Sequence, residues 1–227
     1  MTIFHGRTCF TIFGVCPIGI YKTKQIEIGI HKLALTARYC IVQFMQVSKR
    51  FLSHLHRLAE DEYYLFSSSQ LHLIVPDQST TAFHSMLTRL CQRGELVRIC
   101  RGIYLTPWVS YPPGEVLAHT AALLGAGEFC YLSLENVLSD AGVISQIPMQ
   151  HLSLMTSGRR QRIQCGEWGM IEWIHTERRP EDVVGRVIFE PRSRLWRADV
   201  PLALEDMKRT GRSLDLLQEE VLYEFIG

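Results

Sequence analysis

Residues 79–107 read STTAFHSMLTRLCQRGELVRICRGIYLTP, and two periods meet within them. Over 79–93 the apolar Phe83, Met86, Leu87 and Leu90 fall at helical spacing on one stripe, with polar residues on the other side. Gly94 stands where a helix needs a left-handed stop. Beyond it, Glu95–Cys100 and Ile103–Thr106 are two short strand patterns joined around Arg101-Gly102.

The upstream flank completes the pattern. Segment 46–60, QVSKRFLSHLHRLAE, sets Val47, Phe51, Leu55 and Leu58 at spacings of four, four and three, with Ser48 as a candidate cap. Tyr63 to Phe66 is a short strand-like piece. Ser67 to Ser69 cap a brief helix over 68–74, and Val75-Pro76-Asp77 make a turn. Helix, short helix, longer helix and a two-stranded wing form the order of a winged helix-turn-helix.

Downstream, Pro107 to Gly114 carries three prolines in eight positions and reads as a linker over 108–114. A helix is expected over 114–125, a strand over 129–133, a helix over 133–141, strands over 150–155, 160–165 and 168–175, and helical structure over 199–226. The fold class is therefore α+β. A winged helix over 45–107 precedes a mixed α/β domain over 115–227. Residues 1–44 have no sustained period, end just before Met45, and are expected to be weakly ordered. A start of translation at Met45 explains them better than an added hairpin or partner-binding arm.

Composition excludes several classes. With 47% hydrophobic and 21% charged residues among 227, the chain is not a disordered tail. The apolar run from Cys9 to Tyr21 is shorter than the ~20 residues a spanning helix needs, and it lacks a small-x-small cleavage site. No membrane partner is expected. Seven cysteines without a CxxC pair give neither a disulfide framework nor a zinc knuckle, which suits a reducing cytoplasm. The formal charge of +1 hides a division. Residues 1–44 hold five basic groups against Glu27, while 79–101 holds Arg89, Arg93, Arg98 and Arg101 against Glu95 alone.

That local excess marks a candidate DNA-binding face. A recognition helix enters the major groove with its N-terminal end, where short polar groups and free backbone N–H groups meet base edges and phosphates. Ser79, Thr80 and Thr81 open such a helix, and His84, Ser85, Thr88 and Arg89 continue its polar side. Arg93, Arg98 and Arg101 follow at the helix end and on the wing. Arg159, Arg160 and Arg162 form a secondary basic surface, and Arg186, Arg192, Arg194 and Arg197 a third cluster. Charged sheet edges equally serve to block edge pairing. Trp168, Trp173 and Trp196 near these clusters are more commonly core residues than stacking platforms.

Leu87, Arg89, Leu90, Gly94, Leu96, Arg98, Gly102 and Tyr104 together resemble the winged-helix motif of the AbiEi antitoxins of type IV toxin–antitoxin and phage-defence systems. YLSLENVLSDAGVI (131–144) resembles the segment opening that family's C-terminal domain, and PLALEDMKRTGR (201–212) its late Ala-Leu-x-Asp helix, with Asp206 in the aspartate's place. The resemblance covers about 45–227. It implies an antitoxin that binds operator DNA of its own promoter, represses the operon, and counters a cognate nucleotidyltransferase-like toxin.

No catalytic signature competes. There is no GxSxG, HExxH, Walker-type loop or GxGxxG. His54 and His56, two apart, diverge on a helix and make a poor metal pair. Glu190, Glu205 and Asp206 do not fall into the Asp…Glu-x-Lys arrangement of a nuclease. No enzyme, cofactor or metal is expected. The alternative reading is a protein-interaction module that neutralises its partner without touching DNA.

Overall fold

The computed structural model describes residues 45–60, 63–144, 150–215 and 217–218; the expectations for 1–44 lie outside these. The chain divides into two compact units, Met1–Arg50 and Phe51–Gly227. All that follows concerns the second unit, apart from the first turns of α1 (45–58). That helix already runs at residue 45, so Ser48 lies inside it and caps nothing. Phe51, Leu55 and Ala59 are buried, whereas Leu58 is exposed: the apolar stripe turns onto Ala59 at the helix end.

The head follows the expected order. β1 (Leu65–Ser67) leads into α2 (Ser68–His72), which is shorter than 68–74. Ser67 closes a capping box with Gln70, its hydroxyl accepting from the Gln70 N–H and its own N–H donating to Gln70 Oε1. α3 (Thr80–Gln92) buries Phe83, Met86, Leu87 and Leu90, as the stripe demands. It ends in a Schellman turn: Gly94 adopts φ +73°, with Glu95 N–H donating to Leu90 C=O and Gly94 N–H to Cys91 C=O. β2 (Val97–Cys100) and β3 (Ile103–Leu105) form the wing, and β1 pairs antiparallel on the other side of β3.

The C-terminal part is a six-stranded mixed sheet, ordered β6-β7-β5-β4-β9-β8. Its strands are β4 (Cys130–Leu132), β5 (His151–Thr156), β6 (Gln161–Gln164), β7 (Met170–His175), β8 (Val187–Glu190) and β9 (Leu195–Ala198). β4 runs parallel to β9, and β5 parallel to β7; the remaining pairs are antiparallel. The helices are α4 (Val116–Leu124), α5 (Glu135–Asp140) and α6 (Val200–Arg209). α6 ends at Arg209, and the part of the expected helical span at 219–226 lies outside the described residues. Gly211, at φ +66°, follows its last turn, and Leu214 and Leu217 pack on the core from non-helical chain instead.

Two apolar cores result. One lies under α5 and α6 and contains Tyr131, Leu138, Leu202 and Met207. The other joins head to sheet: Tyr64, Ile99, Ile103 and Leu105 of the head share it with Val116, Leu154, Ile171, Trp173 and Leu195. The segment 108–114 is packed as well. Trp108 lies 4.2 Å from the His56 ring, and Tyr111 stacks on Tyr64 at 5.2 Å while meeting Trp168 edge-on at 6.2 Å. A buried bridge crosses the same seam. Tyr64 OH donates to His119 Nδ1 at 2.6 Å, and His119 Nε2 donates to the Arg192 carbonyl at 2.7 Å. Because a carbonyl only accepts, Nε2 carries a proton, and burial, which lowers the His119 pKa, favours the neutral ring that accepts from Tyr64 at Nδ1.

Candidate nucleic-acid interface

The physical basis of the face is the division of α3 into two sides. Its apolar stripe is consumed by the head core, which turns every intervening polar residue outward. Ser79, Thr80, Thr81, His84, Ser85, Thr88, Arg89 and Arg93 are all exposed, as are Arg98 and Arg101 on the wing. Ser79 is the N-cap, its hydroxyl oxygen accepting from Ala82 N–H at 3.3 Å. That leaves the N–H groups of Thr80 and Thr81 without intrahelical acceptors at the positive end of the helix dipole. Thr88 is less available as a donor, because its hydroxyl donates to the His84 carbonyl at 2.9 Å. His72 fixes the approach to α3: it stacks on Phe83 at 4.5 Å and bonds the Gln78 carbonyl at 2.9 Å.

On the wing, Gly102 at φ +85° permits the two-residue turn, and its carbonyl accepts from Ser68 N–H at 2.7 Å. This bond brings the start of α2 beside Arg101, so exposed Ser69 extends the face. The sequence showed that serine only as part of a cap. Arg98 is oriented by its Nε–H donating to the Cys100 carbonyl at 3.3 Å. Among the described residues, no carboxylate pairs with Arg93, Arg98 or Arg101.

The C-terminal arginines have different surroundings. Arg162 Nε donates to Glu172 at 2.8 Å across the β6–β7 register, Arg160 lies 3.6 Å from the same carboxylate, and Arg212 reaches it at 2.6 Å. Glu172 is 1% exposed. Burial pulls its carboxyl upward, but the guanidiniums of Arg162 and Arg212 outweigh burial and hold it below the ordinary glutamate value. Two members of the secondary basic surface are thus committed to a buried glutamate that sequence reasoning missed. Arg186 pairs with Glu205 and Asp199, Arg192 with Glu115, and Arg197 with Asp140. Trp173 is buried, while Trp196 is half exposed.

A third polar group is internal. Asp206 is fully buried, accepting from Ser133 at 2.8 Å and Tyr131 at 3.0 Å, with Arg178 3.5 Å from its other oxygen. Burial dominates and raises its carboxyl above the ordinary aspartate value. Every hydroxyl around it faces the core, which makes it a structural junction between β4 and α6. Among the described residues, no group of three or more His, Cys, Asp or Glu side chains could hold a metal ion, and no helix is long and apolar enough to cross a membrane.

No curated protein matches the chain. Residues 55–107, which hold the last turn of α1, β1, α2, the whole of α3 and the wing, match a family model described as transcriptional regulator, AbiEi antitoxin. Over that segment, about a quarter of the chain, the sequence is similar to the AbiEi antitoxin family of transcriptional regulators.

Proposed function

We propose that this protein is an antitoxin that represses its own operon. Its winged helix binds operator DNA through the 79–101 face, and residues 115–227 counter a nucleotidyltransferase-like toxin encoded beside it in the cytoplasm. The contrast in charge compensation carries the DNA reading. Arg160, Arg162, Arg186, Arg192 and Arg197 lie against carboxylates of the same domain, whereas Arg93, Arg98 and Arg101 have none among the described residues. An uncompensated guanidinium keeps its full field for phosphate.

Titration of the operon's promoter fragment at several salt concentrations tests this. Binding should weaken steeply as salt rises, and Arg98→Ala and Arg101→Ala should each reduce the log–log salt slope by about one. No shift of promoter DNA by the wild-type protein at low salt would overturn the reading. A second reading, neutralisation of a protein partner without DNA contact, is favoured by Ile188, Phe189 and Trp196. These exposed side chains lie on the edge strand β8 and its neighbour β9. Co-purification with the toxin, together with silence on DNA, selects that alternative.

A further inference from the structure

The two edges of the six-stranded sheet are built differently. β6 closes one side with Gln161, Arg162 and Gln164, exposed polar side chains of the kind that keep an edge from pairing. β8 closes the other with Val187-Ile188-Phe189, where Ile188 is 73% and Phe189 46% exposed. Its pairing with β9 runs without a register shift, so no bulge twists this edge away from a partner. Phe189 meets Trp196 edge-on at 5.6 Å, which extends the apolar surface onto β9.

The backbone limits what such an edge can bind. Asp199 N–H donates to the Arg186 carbonyl at 2.8 Å and Arg194 N–H to the Glu190 carbonyl at 2.9 Å, so residues 186, 188 and 190 turn their backbone groups towards β9. Val187 and Phe189 turn theirs outward, where the sheet has no further strand among the described residues. Side chains alternate as well: Arg186, Ile188 and Glu190 share one face, and Val187 and Phe189 share the opposite face with Trp196.

We propose that β8 pairs antiparallel with β8 of a second copy of this chain, about a two-fold axis at Ile188. In that register Val187 lies opposite Phe189 of the partner subunit and exchanges hydrogen bonds with it, the reciprocal pair does the same, and the two Ile188 side chains meet on the axis. Arg186 then faces Glu190 of the partner subunit on each side, so the charge pattern of the strand is complementary to itself. Moving the axis to Phe189 sets Val187 against Pro191, which has no N–H to donate, and Ile188 against Glu190. Arg186 keeps its contacts with Asp199 and Glu205, and Glu190 its bond from the Ser193 hydroxyl, because guanidinium and carboxylate each serve several partners. The contact is small, so association is weak and depends on concentration. Under the DNA reading proposed above, such a dimer carries two copies of α3 and its operator has two-fold symmetry; pairing of the strands themselves needs no DNA.

Sedimentation velocity of the full chain over a range of concentrations tests the pairing. The mass should rise from that of one chain to that of two. Ile188→Lys, an exposed substitution that sets like charges against each other on the axis, should weaken association about tenfold or more. Arg186→Glu and Glu190→Arg should each weaken it, and an equimolar mixture of those two variants should restore it, because every facing pair in the mixed dimer is then oppositely charged. The mass of one chain at every concentration, or a dimer indifferent to Ile188→Lys, would overturn the proposal, and a mixture no better than its components would overturn the register. A single-chain mass together with protection of β8 only in a complex with the co-purified toxin would also overturn it, assigning the patch to that partner. Because no DNA is present, failure here is separate from failure of operator binding.

Discussion

Glu172 shows how much of a sheet can rest on one carboxylate. It sits in MIEWIH, an otherwise apolar strand, and its partners come from β6 and from Arg212 beyond α6. Replacing it by glutamine leaves the arginines facing a neutral amide, although Arg160 and Arg162 are exposed enough to turn to water. Glu172→Gln should therefore cost about 1–3 kcal/mol, less than the loss of a wholly buried ion pair. Urea midpoints of the two proteins measure it; equal midpoints would show that water replaces the carboxylate without penalty. His119 carries the opposite sort of requirement, for neutrality. Burial lowers its pKa against the hydrogen bond to the Arg192 carbonyl, so the folded state binds its proton less readily than the unfolded chain. Its contribution is complete above the unfolded value of about 6.5 and declines as pH falls from there towards the folded value. The melting temperature should drop between pH 7.5 and 5.5, and His119→Asn should flatten part of that drop.

At the scale of elements, glycines separate open turns from close approaches. Gly94 has nothing within 4 Å of an added Cβ, so Gly94→Ala should cost only the left-handed strain of about 1–2 kcal/mol. Gly169, at φ +112°, would drive a Cβ into the Gln150 backbone, and Met170 N–H donates to the same Gln150 carbonyl. Gly169→Ala should cost at least twice as much as Gly94→Ala in thermal or urea unfolding; equal losses would mean the β5–β7 edge yields. These elements also show what the sequence could reveal. α3 and the wing were legible because a clean apolar stripe, a glycine stop and a two-residue turn act locally. β8 and β9 were not, because VIFE and LWRA are four residues each, separated by the charged turn Pro191 to Arg194, and gain their identity from pairing. α6 was read too long because Leu214 and Leu217 keep a helical spacing after Gly211 has ended the helix. The outward polar side of α3 was visible residue by residue; the burial of Glu172 was not, since it depends on strands brought together from distant segments.

For the whole molecule, the shared core is decisive. The head alone would expose Tyr64, Ile99, Ile103 and Leu105, side chains that now rest against Leu154, Ile171 and Trp173. Hydrogen-exchange pulses at rising urea should therefore show α3 and β5 losing protection at one midpoint; two well-separated midpoints would mean the seam contributes little. The near-neutral total charge also changes meaning at this scale. It includes a C-terminal part in which Arg160, Arg162, Arg186, Arg192, Arg197 and Arg212 pair with carboxylates and a head in which, among the described residues, Arg93, Arg98 and Arg101 do not.

The seam also constrains how such a protein can be rebuilt. A winged-helix head exchanged for another would need Ile99, Ile103 and Leu105, or side chains of matching volume, to refill the surface offered by Leu154, Ile171 and Trp173. Only the outward side of α3 and the Arg101-Gly102 turn are free of that demand. Side chains can be exchanged there residue by residue, whereas transplanting the domain whole would carry over an unfilled floor.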